Sequence, residues 1–283
     1  MILFDERPSF ETAWDATTYR VVMGGMGDDT AMLIAELFNR GYEPDEIVFC
    51  DTGSEFEHTY KFIEHLNQWM IENNWSKLTI LQKCDIDGNK LSVLSEAEKF
   101  NTLPAAAFGS KSCSMKFKVN VADKYFNNNP DCHKAWGVDG KGKSLDSHTG
   151  SILRIIGINA DEQHRVERWK PEHKWTQVFP LVDWDIGEKE STIVEKVGLY
   201  YPKKSSCVCC PHLKGSELVM IRDNYPKDFG RIIAMENNYI EHNMKENSST
   251  KGLCRSKTIN QKIQEYESGL NKSESSCEIC EYY

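Results

Sequence analysis

Three short apolar runs, each followed by a stretch of helical composition or spacing or by a turn, constrain this chain more than any other feature. Tyr19-Arg20-Val21-Val22-Met23 reads as a buried strand, and Gly24-Gly25-Met26-Gly27-Asp28-Asp29-Thr30 follows it as a turn. Ala31 to Phe38 then has helical composition, with Gly41 placed to end the helix as its C′ residue. Asp45 to Cys50 is a second strand, running into Asp51-Thr52-Gly53-Ser54-Glu55. Tyr60, Phe62, Ile63, Leu66, Trp69 and Met70 recur at helical spacing, and Leu78 to Leu81 is a third strand. Strand–helix–strand–helix–strand is the order of a parallel sheet with crossover helices, so the expected fold class is α/β.

The rest of the chain is less regular. Arg154 to Ile158 reads as a further strand, and Phe179 to Val182 as a short apolar segment. Helices are expected over 116–126, 187–197, 215–222 and 227–244, with Gly198 stopping the second. The first fifteen or so residues read as a polar lead-in, and the Ser-, Lys-, Glu- and Asn-rich tail after Asn247 as partly mobile.

Charge and hydropathy exclude some partners. No apolar run approaches the roughly 20 residues of a membrane helix, and the acidic start Met1-Ile2-Leu3-Phe4-Asp5-Glu6 is unlike a secretory signal, so a cytoplasmic address is expected. A net charge of −9 disfavours sequence-blind DNA binding. A local basic groove around Lys111–Lys118 or Lys141–Lys143 would leave a nucleic-acid partner open.

Ten cysteines without an export signal point to metal or redox chemistry rather than a disulfide framework. Cys207-Val208-Cys209-Cys210-Pro211 contains one C-x-x-C, and Cys277-Glu278-Ile279-Cys280 a second. Such spacing aims two sulfurs at one point. Cys50 and Cys84 lie in or beside apolar stretches and are expected in the core, whereas Cys132 and Cys254 are expected in loops.

The glycine-rich turn between a strand and a helix is a phosphate-binding arrangement, because amides and a helix N-terminus face an anion there. The turn matches neither the Walker nor the dinucleotide pattern, so a plain structural turn explains it equally well. Asp28 and Asp51 beside a bound phosphate would make sense only as Mg²⁺ ligands or as partners of hydrogen-bond donors, since a bare carboxylate repels phosphate. For Asp28 a helix N-cap is as good a reading. Lys111, Lys116, Lys118, Arg154 and Arg165 are candidate anion partners, although for at least half of them a solvated surface charge is the better reading.

Several blocks in order resemble the phosphoadenosine phosphosulfate (PAPS) reductase-like family of the adenine nucleotide alpha-hydrolase-like (PP-loop) superfamily, in a form often carried by phages. They are 21–33 with the glycine turn, Phe49 to Tyr60, Lys111 to Lys118, Ile156 to Arg165, Phe179-Pro180-Leu181, and 198–211 with the cysteine loop. The resemblance implies a Rossmann-like parallel sheet in a domain over 1–185, followed by a smaller helical, cysteine-bearing region over 186–283. It implies an adenine nucleotide, ATP or PAPS/adenylyl-sulfate, held by Gly24, Gly25, Met26, Gly27, Asp28, Asp29 and Thr30. Asp51, Thr52, Gly53, Glu55, Lys116 and Asp161 would complete that site, and Asp51, Cys113 and Arg165 would carry the chemistry. It also implies a 4Fe–4S cluster on Cys113, Cys207 and Cys210, with Cys280 or Cys277 as the fourth ligand or a bound ligand on an open iron; zinc is the rival ion, and reduced core or loop cysteines are the plainer reading.

The chain departs from the family pattern. Asp29 replaces a serine of the loop, Gly27 replaces a lysine, and the tail lacks the Glu-Cys-Gly context of the reductase cysteine. Three functions therefore stand: nucleotide-dependent sulfur transfer or adenylation with pyrophosphate release, a degenerate nucleotide-binding module, and a metal-stabilised interaction protein.

Overall fold

The computed structural model describes residues 3–138, 150–159, 162–184 and 186–270. Helix α1 (Phe10–Ala16) precedes β1 (Arg20–Met23), α2 (Asp28–Arg40), β2 (Glu46–Asp51), α3 (Glu57–Glu72) and β3 (Leu78–Gln82). Then follow α4 (Val93–Lys99), α5 (Ser112–Ser114), α6 (Asn120–Asn127) and α7 (Pro130–Trp136), with a π-helical turn over Met115–Val119 joining α5 to α6. The sheet is completed by β4 (Ile152–Ile156) and β5 (Trp175–Val178), with α8 (Gln163–Val166) between them. Five helices finish the described chain: α9 (Pro180–Asp183), α10 (Glu190–Lys196), α11 (Gly215–Asn224), α12 (Pro226–His242) and α13 (Ile259–Glu267).

The five strands form one sheet in the order β3-β2-β1-β4-β5, and every pairing is parallel. The fold class is therefore α/β with a parallel sheet. Register pairs Val22 with Ile47 on one side and with Ile155 on the other. Strand alternation then builds two apolar layers. Val22, Ile47, Phe49, Leu153 and Ile155 face α2, α3 and α10, whereas Val21, Met23, Val48 and Ile152 face Phe126 of α6 and Trp136 of α7. Each such large side chain, fully buried, contributes about 1.5–3 kcal/mol. Gly41 ends α2 at φ 74°, and its N–H closes on the last turn, the left-handed cap expected from its position.

A third apolar cluster joins Phe56, α4 and Phe117 to the Cys207–Leu213 loop and to α11, α12 and α13. The C-terminal helices thus pack on segments from the middle of the chain. Helix α10, by contrast, packs on the sheet layer through Ile193 and Val194.

Four expectations are corrected. The first residues are not a mere lead-in, because Ser9 caps α1 through Thr12 N at 3.2 Å and Phe10 is wholly buried against Trp14, Tyr42 and Trp184. The chain after Asn247 holds a helix that the sequence reading lacks, α13, which begins with a reciprocal cap of Thr258 and Gln261. Glu236 of α12 also accepts N–H bonds from Leu253 (2.7 Å) and Ile259 (3.0 Å). Cys84 is exposed and Cys132 is buried on α7, the reverse of their expected places. Strand β5 was not expected at all, and β4 starts two residues earlier than read.

Candidate functional site

The chain runs outward from central β1 to β2 and β3, then returns to β4 on the other side of β1. In an open parallel sheet that reversal opens a crevice at the carboxyl ends of the strands, where ligands bind. A cleft of about 600 Å³ lies there, with the Gly24–Thr30 turn, Gly157 and Asn159 after β4, and Lys204 to Cys207 on its walls.

The turn is anchored by Gly24 N, which donates to Val48 O at 3.2 Å. The N-cap of α2 is Gly27 and no side chain caps the helix. Asp28 is thus the first helical residue, which corrects the reading of it as the cap. The amides of that first turn lack partners within the helix, so this end favours negative charge. The glycines have a second physical reason. A Cβ on Gly25 would sit 3.1 Å from Ser205 Oγ, and one on Gly27 would sit 2.9 Å from the Ser205 backbone N. Close seating of the 204–206 segment over the turn therefore accounts for both.

Electrostatics around the helix end is mixed. Asn159 Nδ2 donates to Asp29 Oδ1 and to Glu190 Oε1, each at 2.7 Å, and Tyr201 donates its hydroxyl to Glu190. Burial, with Glu190 nearby, raises the pKa of Asp28 above the usual carboxylate value. Lys118, Lys204, Lys214 and Arg165 line the same cleft, and Arg165 pairs with Glu162. A bare polyphosphate meets carboxylates at the turn and cations around it, so protonation of Asp28 or a bound cation favours its entry.

The segment after β2 is locked by its own side chains. Asp51, only 8 % exposed, accepts from Gly53 N (2.7 Å) and from Tyr60 OH (2.9 Å). Burial, together with the Asp51 charge, pushes the Tyr60 phenol well above its ordinary value. Thr52 Oγ1 donates to Glu55 Oε1 at 2.9 Å and lies 3.1 Å from Cys207 Sγ, and Cys207 Sγ donates to Glu55 Oε1 at 3.7 Å. Val208 N to Ser54 O (2.7 Å) and Phe56 N to Ser206 O (3.1 Å) zip the cysteine loop onto this segment.

Of the residues expected at the site, Gly24, Gly25, Gly27, Asp28, Asp29, Thr30, Glu55, Arg165, Cys207 and Cys210 line the cleft. Met26 is buried beneath the turn with φ 58°. Asp51, Thr52 and Gly53 hold the turn behind Glu55 and do not line the cleft. Lys116 pairs with Glu96 away from it. Asp161, Cys277, Cys280 and Lys141–Lys143 lie outside the described residues. Asn159, Tyr201, Lys204 and Ser205 belong to the site and lie in resembling blocks that gave them no role, whereas Glu190 lies outside every block.

Cys113 on α5 packs against the same apolar cluster as Cys209 and Cys210. Cys209 is fully buried and its thiol is pushed up to about 12 by desolvation. Among the described residues no three His, Cys, Asp or Glu side chains are disposed to hold a metal ion. The Glu55 carboxylate beside Cys207 also opposes a thiolate there. Cys113, Cys207 and Cys210 are the described members of the expected set, and Cys277 and Cys280 lie outside the described residues.

No protein-family model and no curated protein sequence matches the chain. Among solved structures it is similar to a PAPS reductase from Candida auris in a phosphate complex, at 14% identity and TM-score 0.43, covering 68% of this chain and 78% of that one. It is also similar to the tRNA thiolase NcsA of Methanococcus maripaludis with its 4Fe–4S cluster, at 18% identity and TM-score 0.38, covering 93% of this chain and 85% of that one. The fold assignment rests on the sheet order and register described above.

Proposed function

We propose that this chain binds an adenine nucleotide or sulfonucleotide, ATP or PAPS/adenylyl-sulfate, and uses it in sulfur transfer or in adenylation with pyrophosphate release. The observation that carries the reading is convergence: the glycine turn, Glu55 and the cysteine loop meet in one cleft at the switch point of a parallel sheet.

In this reading the first-turn amides of α2 receive a phosphate or sulfate oxygen. Lys118, Lys204 and Arg165 neutralise the remaining charge, in the manner of donors fixed before the reaction begins. Asp28 enters protonated or beside a cation such as Mg²⁺. Cys207 presents its sulfur to the cleft and, with PAPS bound, would attack the sulfonyl sulfur: Glu55 takes the thiol proton, the new sulfur–sulfur bond replaces the sulfur–oxygen bond to phosphate, and adenosine bisphosphate leaves. Asp51 is a positioning residue, because it fixes the turn that carries Glu55.

Calorimetry with ATP, adenylyl-sulfate and PAPS, with and without Mg²⁺, tests binding, and product analysis tests turnover. Cys207→Ser should abolish product while leaving nucleotide affinity within about threefold. Absence of binding by all three nucleotides would overturn the reading. A second reading, a module that binds nucleotide without turnover, is favoured by Asp28, Asp29 and Glu190 at the turn. Tight binding without product would select it. The cluster expected from the resemblance is tested on anaerobically purified protein, where a broad absorption near roughly 400 nm would reveal iron–sulfur.

A further inference from the structure

The segment seated over the glycine turn presents two hydrogen-bond donors to it. Among the described residues, neither the N–H nor the hydroxyl of Ser205 has a hydrogen-bond partner. The residue is half-buried and lines the cleft. A Cβ on Gly27 would stand 2.9 Å from its N and 2.9 Å from its Oγ, and one on Gly25 would stand 3.1 Å from the Oγ. Both donor atoms therefore border the turn.

The chain on either side fixes their direction. Lys204 O lies 3.1 Å from His58 Nε2, and Ser206 O accepts from Phe56 N at 3.1 Å. A carbonyl only accepts, so Nε2 of His58 carries the ring proton, and Nδ1 takes the hydroxyl proton of Tyr225 at 2.9 Å. The Lys204–Ser205 peptide is trans, and in a trans peptide the N–H points opposite to the C=O. With its carbonyl turned to His58, this peptide turns the Ser205 N–H toward the glycine turn.

The side chains of the turn itself offer an anion little. Asp28 and Asp29 only accept when ionised, and Asp28 Oδ1 takes the Asp29 N–H at 3.2 Å. Thr30 carries the only hydroxyl of residues 24–30. It is 5 % exposed and packs against Gly24, whose Cβ would stand 2.8 Å from its Oγ1. Neutral donors are what the turn lacks beyond its amides, and Ser205 brings two of them from a segment far along the chain.

We propose that Ser205 is an anion-binding residue of the cleft, donating its N–H and its hydroxyl to the same phosphate or sulfate group that the first-turn amides of α2 receive. A phosphate group presents three acceptor oxygens, so the amides and Ser205 serve different ones. His58 is a positioning residue, because its hold on Lys204 O aims the Ser205 N–H. The inference rests on the reading that an anion binds at the glycine turn, and on nothing about the rest of the ligand.

The test is calorimetry on the full chain with Mg²⁺ present, using inorganic pyrophosphate, ATP and adenosine as probes. Ser205→Ala should weaken pyrophosphate and ATP by about ten- to hundredfold, the effect of one hydrogen bond to a charged group. Adenosine carries no phosphate, so its binding should stay within about twofold. His58→Gln keeps an N–H donor near the place of Nε2, whereas His58→Asn reaches only the place of Nδ1. The Gln variant should hold pyrophosphate within about threefold of the parent, and the Asn variant about tenfold more weakly. Equal losses in the two His58 variants would overturn the positioning role. Unchanged pyrophosphate binding in Ser205→Ala, no pyrophosphate binding by the parent, or an equal loss for adenosine would overturn the role of Ser205. Pyrophosphate held through Ser205 by a chain that ignores ATP would sink the nucleotide reading alone. ATP bound without any effect of Ser205→Ala would sink this inference alone.

Discussion

Replacing Gly27 with alanine separates two explanations for the glycine turn. Gly27 has φ −105°, which any residue adopts, so its substitution carries no backbone strain. The added Cβ, however, would lie 2.9 Å from both the N and the Oγ of Ser205. A backbone atom cannot rotate away, so the 204–206 segment must shift, at a cost of about 1–3 kcal/mol. That corresponds to a melting point lower by roughly 2–4 °C per kcal/mol in a chain somewhat smaller than this one. Gly25→Ala meets only Ser205 Oγ, at 3.1 Å, and should cost less than about 1 kcal/mol. Adding Ser205→Ala should restore Gly25→Ala fully and Gly27→Ala only in part, because the backbone N remains. Urea denaturation of the single and double variants measures the coupling, and calorimetry with ATP reads the cleft. If Gly27→Ala is as stable as the parent, the seating argument is wrong. Loss of ATP binding in both glycine variants at unchanged stability would instead make the turn a phosphate cradle alone.

Other outcomes follow from individual side chains. His58 bridges Tyr225 OH (2.9 Å) and Lys204 O (3.1 Å), and burial lowers its pKa below 6.5. Its stabilising contribution is complete above that value and is lost as pH falls through the lowered one, so His58→Asn should flatten the stability profile below pH 6.5. Glu236 is 2 % exposed, and burial raises its pKa above 4.5 despite the N–H bonds that oppose the shift. Stability linked to it falls as pH rises from 4.5 through the raised value, and Glu236→Gln should remove that slope. Glu236→Ala strands two buried N–H groups and should cost about 2–4 kcal/mol by urea denaturation. Among the described cysteines, alkylation followed by mass spectrometry should label Cys84 first, with Cys50, Cys132 and Cys209 protected until unfolding; early labelling of Cys209 would contradict its burial.

The sheet was legible because β1 to β3 are apolar runs set between turns, and periodicity reports burial directly. Strand β5 escaped because Trp175-Thr176-Gln177-Val178 is too short to show a period. It exists through its pairing with β4, a long-range cause that no local pattern carries. Helices α1 and α13 were missed for a related reason: their polar sequences are held by caps and by single anchors, Phe10 and Glu236. At the site, the turn and Glu55 could be read from their motifs. Asp51 could be read as important but not as internal, since its hydrogen bonds to Gly53 and Tyr60 exist only once α3 is formed. Glu190 lay far along the chain in a segment without a signature, and Ser205 lay in the cysteine-loop block, which says nothing of its seating over the turn. The cysteines misled where apolar neighbours were taken as a guide: the chain turns away after β3 and leaves Cys84 in solvent, while α7 buries Cys132 against the sheet.

The zip between the cysteine loop and the Ser54–Phe56 segment has a consequence for synthesis. During translation the glycine turn is made early, but its roof, Ser205, emerges about 180 residues later. Closing so long a loop costs little more entropy than a shorter one, because the cost grows only with the logarithm of length. It does delay the event, since non-local contacts form after local ones. The parallel sheet can therefore assemble before the cleft has a lid over its turn. On the ribosome, the seating of Ser205 over the turn therefore follows assembly of the sheet and precedes the emergence of α11, α12 and α13.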